Sequence, residues 1–237
     1  MIDVTRSSEI PASLQSTNHY NGEDVLEQLR EDFLGKCYLC EGPLPGLGFQ
    51  VDHLRPKAGF PELRLAWPNL FPAHADSCNQ RRLKWSGQEA THNGQKVEWP
   101  VEGLLDCSDP NERAEARLLQ RFELGAGPDI EVYISASDPR DRRAANTARE
   151  LQHILGDKDN RHARQHRALI HGQYSRVQQA WGRMIKALFE KDDSTYEQRR
   201  DELARLLSRG APYAALLRTY MRQEIPTQFH ARLGLDA

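Results

Sequence analysis

The residues that most restrict how this chain can fold are Cys37 and Cys40 in KCYLCE, and His74 and Cys78 in HADSCN. Cys37-x-x-Cys40 has a turn geometry that presents two thiolates to one metal ion, and the same spacing also serves redox pairs. A redox pair belongs in a βαβ setting, whereas EGPLPGLG follows here. His74-x-x-x-Cys78 adds a nitrogen and a sulfur donor, and tetrahedral zinc accepts both. The four residues would make a closed Cys3His site. The competing reading leaves His74 as a surface histidine and the site incomplete. Cys107, in LLDCSDP, has no such partner near it and reads as a small buried thiol. A metal held this way clamps the ends of a stretch that is dense in turn formers and poor in apolar runs.

Between the clamped ends stands FQVDHLRPKAGF, residues 49–60. Asp52 and His53 close a short apolar run, and Arg55-Pro56-Lys57 follows almost at once. In a regular strand neighbouring side chains point to opposite faces. A site using both therefore needs the strand to end or bend here, and Pro56 is consistent with that.

The remaining chain sets the context. Its 237 residues allow one large domain or two small ones. A net charge of −2 argues against a strongly basic stand-alone nucleic-acid binder, while leaving room for a local basic face. No run of about 18 apolar residues suggests a membrane span. The N-terminal MIDVTRSSEIPASLQ lacks a signal-peptide pattern, so a cytoplasmic location is expected, with cysteines reduced or metal-bound. Residues 1–22 are polar and read as an extended arm. Residues 23–34 place Val25, Leu26, Leu29 and Phe33 at helical spacing, and RLLQRFELGAGPDIEVYISAS reads as strand, turn, strand. From about residue 140 the chain reads as helical. Ile170, Tyr174, Val177, Trp181, Met184 and Leu188 form one face of a long helix. A second helix over 194–208 turns Leu203, Leu206 and Leu207 inward and is capped by Thr195 or Ser194, and AALLRTYMRQ forms the last.

In order, C-x-x-C, V-D-H-x-x-P-K, W-x-N-L and C-N resemble the HNH endonucleases, whose core is a ββα-metal unit. The matching residues are Cys37, Cys40, Val51-Asp52-His53, Pro56-Lys57, Trp67, Asn69-Leu70 and Cys78-Asn79. KCYLCE, LAWPNLF, LLDCSDP, ANTARELQ and APYAALLR are further similar, in order, to the HNH subunit of Septu-type anti-phage systems and of some retron-linked modules. The resemblance implies an α+β fold with a zinc-stapled ββα-metal core and a mostly helical C-terminal domain. The expected division is an arm over 1–22, a nuclease domain over 23–136 with its core at 36–100, and a helical domain over 137–237. It also implies phosphodiester hydrolysis in defence, under an ATPase partner subunit. DNA is the favoured substrate, with RNA as the other nucleic acid such a site would accept.

Residue types fit that chemistry. His53 would take a proton from water, since an imidazole titrates near working pH. Asp52 and Asn79 would hold Mg2+ or Mn2+ through hard oxygen donors. Asn69 would orient the loop and the base. Arg55, Lys57, Arg81, Arg82 and Lys84 are candidate phosphate contacts. Trp67 reads as core. Two departures from the family pattern stand out. The second zinc pair is His74-x-x-x-Cys78 instead of C-x-x-C, with Asp76 as the alternative fourth ligand. The last motif position is Asn79 instead of His, with His92 as a weaker competitor. In the helical half Arg161, Arg164 and Arg167 would form one basic stripe, extended by Arg140, Arg142 and Arg143. The plainer reading of that stripe is a salt-bridged outer face. Two rival functions remain: a zinc-stabilised binding module that does not cut, and a ribonuclease acting on tRNA.

Overall fold

The computed structural model describes residues 1–16, 19–81, 85, 88–125 and 129–236, the side chain of Arg81 excepted. Two helices, α1 (Ala12–Ser16) and α2 (Glu23–Asp32), precede strands β1 (Gln50–His53), β2 (Leu70–Ala73), β3 (Glu89–His92) and β4 (Gln95–Glu98). The short α3 (Ala114–Arg117) leads into β5 (Leu118–Leu124) and β6 (Ile130–Ala136). Helices α4 (Arg142–Leu155), α5 (Arg161–Phe189), α6 (Asp193–Leu206) and α7 (Ala214–Glu224) complete the chain. The described strands form three two-stranded antiparallel sheets, so the fold is α+β.

Helix α2 buries Val25 and Leu29 and carries Glu23 and Asp24 in its first turn and Arg30 in its last, matching the helix dipole. It stops at Leu34 and Gly35, where φ turns positive, and the Gly35 N–H bonds Arg30 O at 2.7 Å. β1 ends at His53 and pairs with β2 in the register Asp52 opposite Phe71 and His53 opposite Leu70. Residues 54–69, which include two 3₁₀ turns, link these strands, and Pro56 opens the first turn of that link. A 3₁₀ turn at Asn79–Arg81 follows β2. Arg82 and Lys84 lie outside the described residues, as does the side chain of Arg81.

The β5–β6 hairpin alternates along both strands. Leu118, Gln120 and Phe122, with Ile130, Val132 and Ile134, turn inward. This face packs against α4, α5 and α7. One continuous apolar core runs from Val25 and Phe33 through Trp67 and Phe71 to Phe122, Ile154, Val177 and Leu217. Residues 1–11 carry no helix or strand, yet they are fastened to that core. Arg6 lies 4.0 Å over the Trp67 ring and bonds Leu70 O at 2.7 Å, while the Trp67 indole N–H donates to Ser7 O at 3.1 Å. Trp67 is thus a core residue.

The helical half departs from the sequence reading in three details. Ile170, Val177 and Met184 are buried on α5, whereas Leu188, in its last turn, is 44% exposed. Asp192 caps α6 by accepting from the Thr195 amide at 3.0 Å, because a short carboxylate two residues before Ser194 reaches that amide. Arg167 is not part of an outer stripe. It is buried, donates to Asp157 O at 3.0 Å and lies 3.7 Å from Asp129. Steps of three residues fall about 60° short of a full turn, so the third arginine rotates inward while Arg161 and Arg164 stay exposed. Arg140, Arg142 and Arg143 pair with Asp138, Glu102 and Glu112.

Asp141 joins the hairpin to α4. It caps the helix by accepting from the Ala144 amide at 3.0 Å and receives Arg117 Nε and Nη2 at 2.7 and 2.8 Å. The Arg117 guanidinium holds its carboxyl below the ordinary range. The Asp141→Ala change should cost roughly 1–2 kcal/mol in urea unfolding, and Asp141→Asn, which keeps a capping oxygen, should cost less. A carboxyl with a lowered folded pKa stabilises above its unfolded value of about 4 and loses that contribution as pH falls through the folded value. The gap between parent and Asp141→Asn should therefore narrow in acid. Equal stability of all three proteins at neutral pH would contradict this assignment.

Candidate metal centre and adjoining groove

The turn after Lys36 brings Cys37 and Cys40 to one point. The Glu41 amide bonds Cys37 O, the Cys37 amide bonds Gly42 O, and the Gly42 amide donates to Cys40 Sγ at 3.3 Å. A Cβ on Gly42 would meet His74 Cε1 at 3.0 Å and Tyr213 Oη at 3.1 Å, so a larger residue there would crowd the cluster. From the end of β2, His74 and Cys78 close the cluster, and the ligand atoms of all four residues lie within 4.8 Å of one another. Zinc–thiolate bonds of about 2.3 Å in a tetrahedron set sulfurs roughly 3.8 Å apart, so the donor set is close to what such an ion requires. Asp76 is exposed and stands outside the cluster. Among the described residues no other group of His, Cys, Asp and Glu converges in this way. None of the four cysteines is in a disulfide, and burial pushes the Cys107 thiol up.

The surroundings fit a metal. His74 Nε2 lies 3.0 Å from Pro43 O, an oxygen that can only accept. The ring proton therefore sits on Nε2, and Nδ1 faces the thiols, 3.3 Å from Cys40 Sγ. Such a carbonyl partner fixes the tautomer of a ligating histidine. From α5, His166 Nε2 reaches Cys78 Sγ at 3.9 Å, and its Nδ1 is 3.3 Å from Tyr213 Oη. Burial drives His166 down to about 4, so it is a neutral outer partner and not an ammonium-like counter-ion. No motif links His166 or Tyr213 to the cysteine cluster, because both come from the distant helical half.

The thiolate turn also touches the Asp-His pair. Tyr38, between the first two cysteines, donates its hydroxyl to Asp52 Oδ2 at 2.5 Å and its amide to Pro72 O at 3.0 Å. Asp52 Oδ1 accepts from the His53 amide at 2.8 Å. Because β1 stops at His53, Asp52 and His53 both line one groove, together with Gln50, Lys57, Asn79 and Tyr20. Asn79 Nδ2 donates to Gln50 Oε1, which leaves its carbonyl oxygen as the acceptor end of the amide.

His53 Nε2 lies 3.0 Å from Arg64 O. By the same logic the proton sits on Nε2, and Nδ1 is the basic nitrogen. Burial holds the His53 imidazole below its ordinary value, partly opposed by the Arg64 carbonyl and Asp52, so it is neutral at physiological pH. Asn69 fixes the loop: its Oδ1 accepts from the Arg55 amide at 2.8 Å, and its Nδ2 donates to Arg55 O and Leu63 O at 3.0 and 3.2 Å. Arg55 itself lines a second cavity on the other side of that loop, its guanidinium 5.9 Å from the Phe60 ring. His92 faces that second cavity, paired with Glu62 and against Phe60, and does not line the Asp52 groove.

Comparisons with protein-family models, with curated proteins and with solved structures find no match to this chain. Among the described residues no helix is long and apolar enough to cross a membrane.

Purified protein should carry one tightly held zinc ion per chain. Cys78→Ser should lower zinc content and the thermal midpoint together, since metal binding and folding are coupled. His166→Ala should weaken zinc by about 10–100-fold in chelator competition. A stable, folded protein that holds no zinc would remove the assignment.

Proposed function

We propose that this protein is a metal-dependent endonuclease of the HNH type, hydrolysing phosphodiester bonds of nucleic acid, with the cysteine–histidine cluster as its structural zinc site. The observation that carries the reading is one groove lined by Asp52, His53, Asn79 and Lys57, in which His53 is neutral with Nδ1 as its basic nitrogen. Attack on a phosphodiester needs a base for water, and His53 Nδ1 would take that proton. Lys57, at the rim, would receive a phosphate oxygen. A hard divalent cation such as Mg2+ or Mn2+, bound by an Asp52 oxygen and the Asn79 carbonyl, would supply charge neutralisation at the phosphate and the leaving oxygen. Asn69 would hold the loop that carries Arg64, the partner of His53.

The ββα-metal core, the cytoplasmic location and the role in anti-phage defence beside an ATPase belong to the same proposal. The order of the motifs supports them, and a net charge of −2 suits a subunit whose partner contributes nucleic-acid affinity. DNA is the first substrate to test and structured RNA the second.

His53→Ala should reduce cleavage by about 10²–10⁴-fold, leave zinc content and fold intact, and resist rescue by added Mg2+ or Mn2+. Asp52→Ala and Asn79→Ala should also lose activity but recover part of it at high divalent-ion concentration. The check is a set of matched cleavage assays on DNA and RNA across a metal titration, with and without an ATPase that co-purifies. Parent-level cleavage by His53→Ala would refute the assignment, and binding without cleavage by the parent protein would favour the non-cutting module.

A further inference from the structure

The groove has a wall that none of the sequence motifs includes. Tyr20, from the segment leading into α2, places its ring centroid 4.8 Å from that of His53 at an interplanar angle of 78°. Its hydroxyl accepts from Lys57 Nζ at 2.7 Å, and the same ammonium lies 4.8 Å from the ring centroid. The Arg64 guanidinium is 5.9 Å from that centroid, and the Arg64 carbonyl is the acceptor for His53 Nε2. One phenol therefore touches the imidazole, the cation beside it and the residue that fixes the tautomer of the imidazole.

These contacts complement one another. A hydrogen bond at Nε2 fixes one end of an imidazole but leaves the ring plane free to rock about it. An edge-to-face ring contact adds a restraint on that plane and contributes about 0.5–1.5 kcal/mol beyond the area it buries. Lys57 carries a long flexible side chain, and a bond to the phenol oxygen holds its ammonium at the groove. The chain segment that does this is anchored: the Ser13 amide and hydroxyl bond Asp24 at 2.9 and 2.6 Å, across the start of α2.

We propose that Tyr20 is a positioning residue of this site, fixing the plane of the His53 ring through its own ring and the place of the Lys57 ammonium through its hydroxyl. The catalytic meaning of this role rests on the endonuclease reading; the positioning itself does not. The two contacts separate by substitution. Tyr20→Phe keeps the ring and loses the oxygen, and Tyr20→Ala loses both.

The test uses full-length, zinc-loaded protein with 13C-labelled histidine, the His53 resonance being identified by its loss in His53→Gln. Relaxation of the His53 Cε1–H group should report a rigid ring in the parent and in Tyr20→Phe, and a clearly less ordered one in Tyr20→Ala. On a short DNA or RNA substrate Tyr20→Phe should act mainly by raising KM. Tyr20→Ala should lower kcat by roughly 10- to 100-fold, the scale of a small misplacement of a reacting group. If Tyr20→Ala loses zinc or unfolds, Tyr20→Leu, which keeps apolar bulk but no ring plane, takes its place with the same expectation. Unchanged His53 order in the variant that lacks the ring overturns the proposal. A parent protein that never cleaves refutes the endonuclease reading alone, since the relaxation measurement then still decides the role of Tyr20.

Discussion

The convergence of Cys37, Cys40, His74 and Cys78 is the contact on which the rest of this structure depends. Each strand near it is only four residues long, and the link between β1 and β2 holds no regular element beyond 3₁₀ turns. Pairs of strands that short are marginal without further support. The thiolate turn supplies the support on several sides. Tyr38, inside it, fixes Asp52 and packs its ring against Phe71, the centroids 4.8 Å apart and the planes tilted by 46°. Glu41, directly after it, is buried and bonds the Ala215 amide of α7 at 3.0 Å, with the Met1 ammonium at 2.7 Å and Lys36 at 3.9 Å. Burial opposes the charge on Glu41, but the two cations outweigh it and hold the carboxyl below its ordinary range.

Structural and chemical roles are therefore coupled through very few bonds. From Cys37 to Asp52 the path is one residue and one hydrogen bond. From Cys78 to α5 it is His166, and from there to the start of α7 it is Tyr213. A metal in this cluster would tie the groove to the helical half, so that a change in how α5 and α7 pack would be felt at Asp52. The arrangement also separates the two histidines by chemistry. His74 has its basic nitrogen turned to sulfur, while His53 lines a groove that it shares with Asp52, Asn79 and Lys57.

Much of the secondary structure was legible because it rests on local rules. The α2 spacing, the β5–β6 alternation and the inward ridge of α5 all follow from the period of the element and the need to bury apolar side chains. The details that failed depend on small rotations and on individual neighbours. Arg167 leaves the outer face of α5 because a three-residue step is not a whole turn, and Asp192 takes the cap of α6 because its carboxylate reaches the Thr195 amide better than the hydroxyls two and three residues on.

By itself the sequence determined the four donors, the Asp52–His53 pair, the loop asparagine Asn69 and the order in which they occur, because cysteine, histidine and short turns carry their chemistry and spacing with them. Only the tertiary structure decided that His74 and not Asp76 completes the cluster, that His92 faces another cavity, and that Tyr20, Tyr38, Arg64 and His166 surround the site. The physical reason is that a ligand or base is recognisable by what it is. The groups that aim it are ordinary carbonyls, phenols and imidazoles, distinguished only by the distance at which the folded chain puts them.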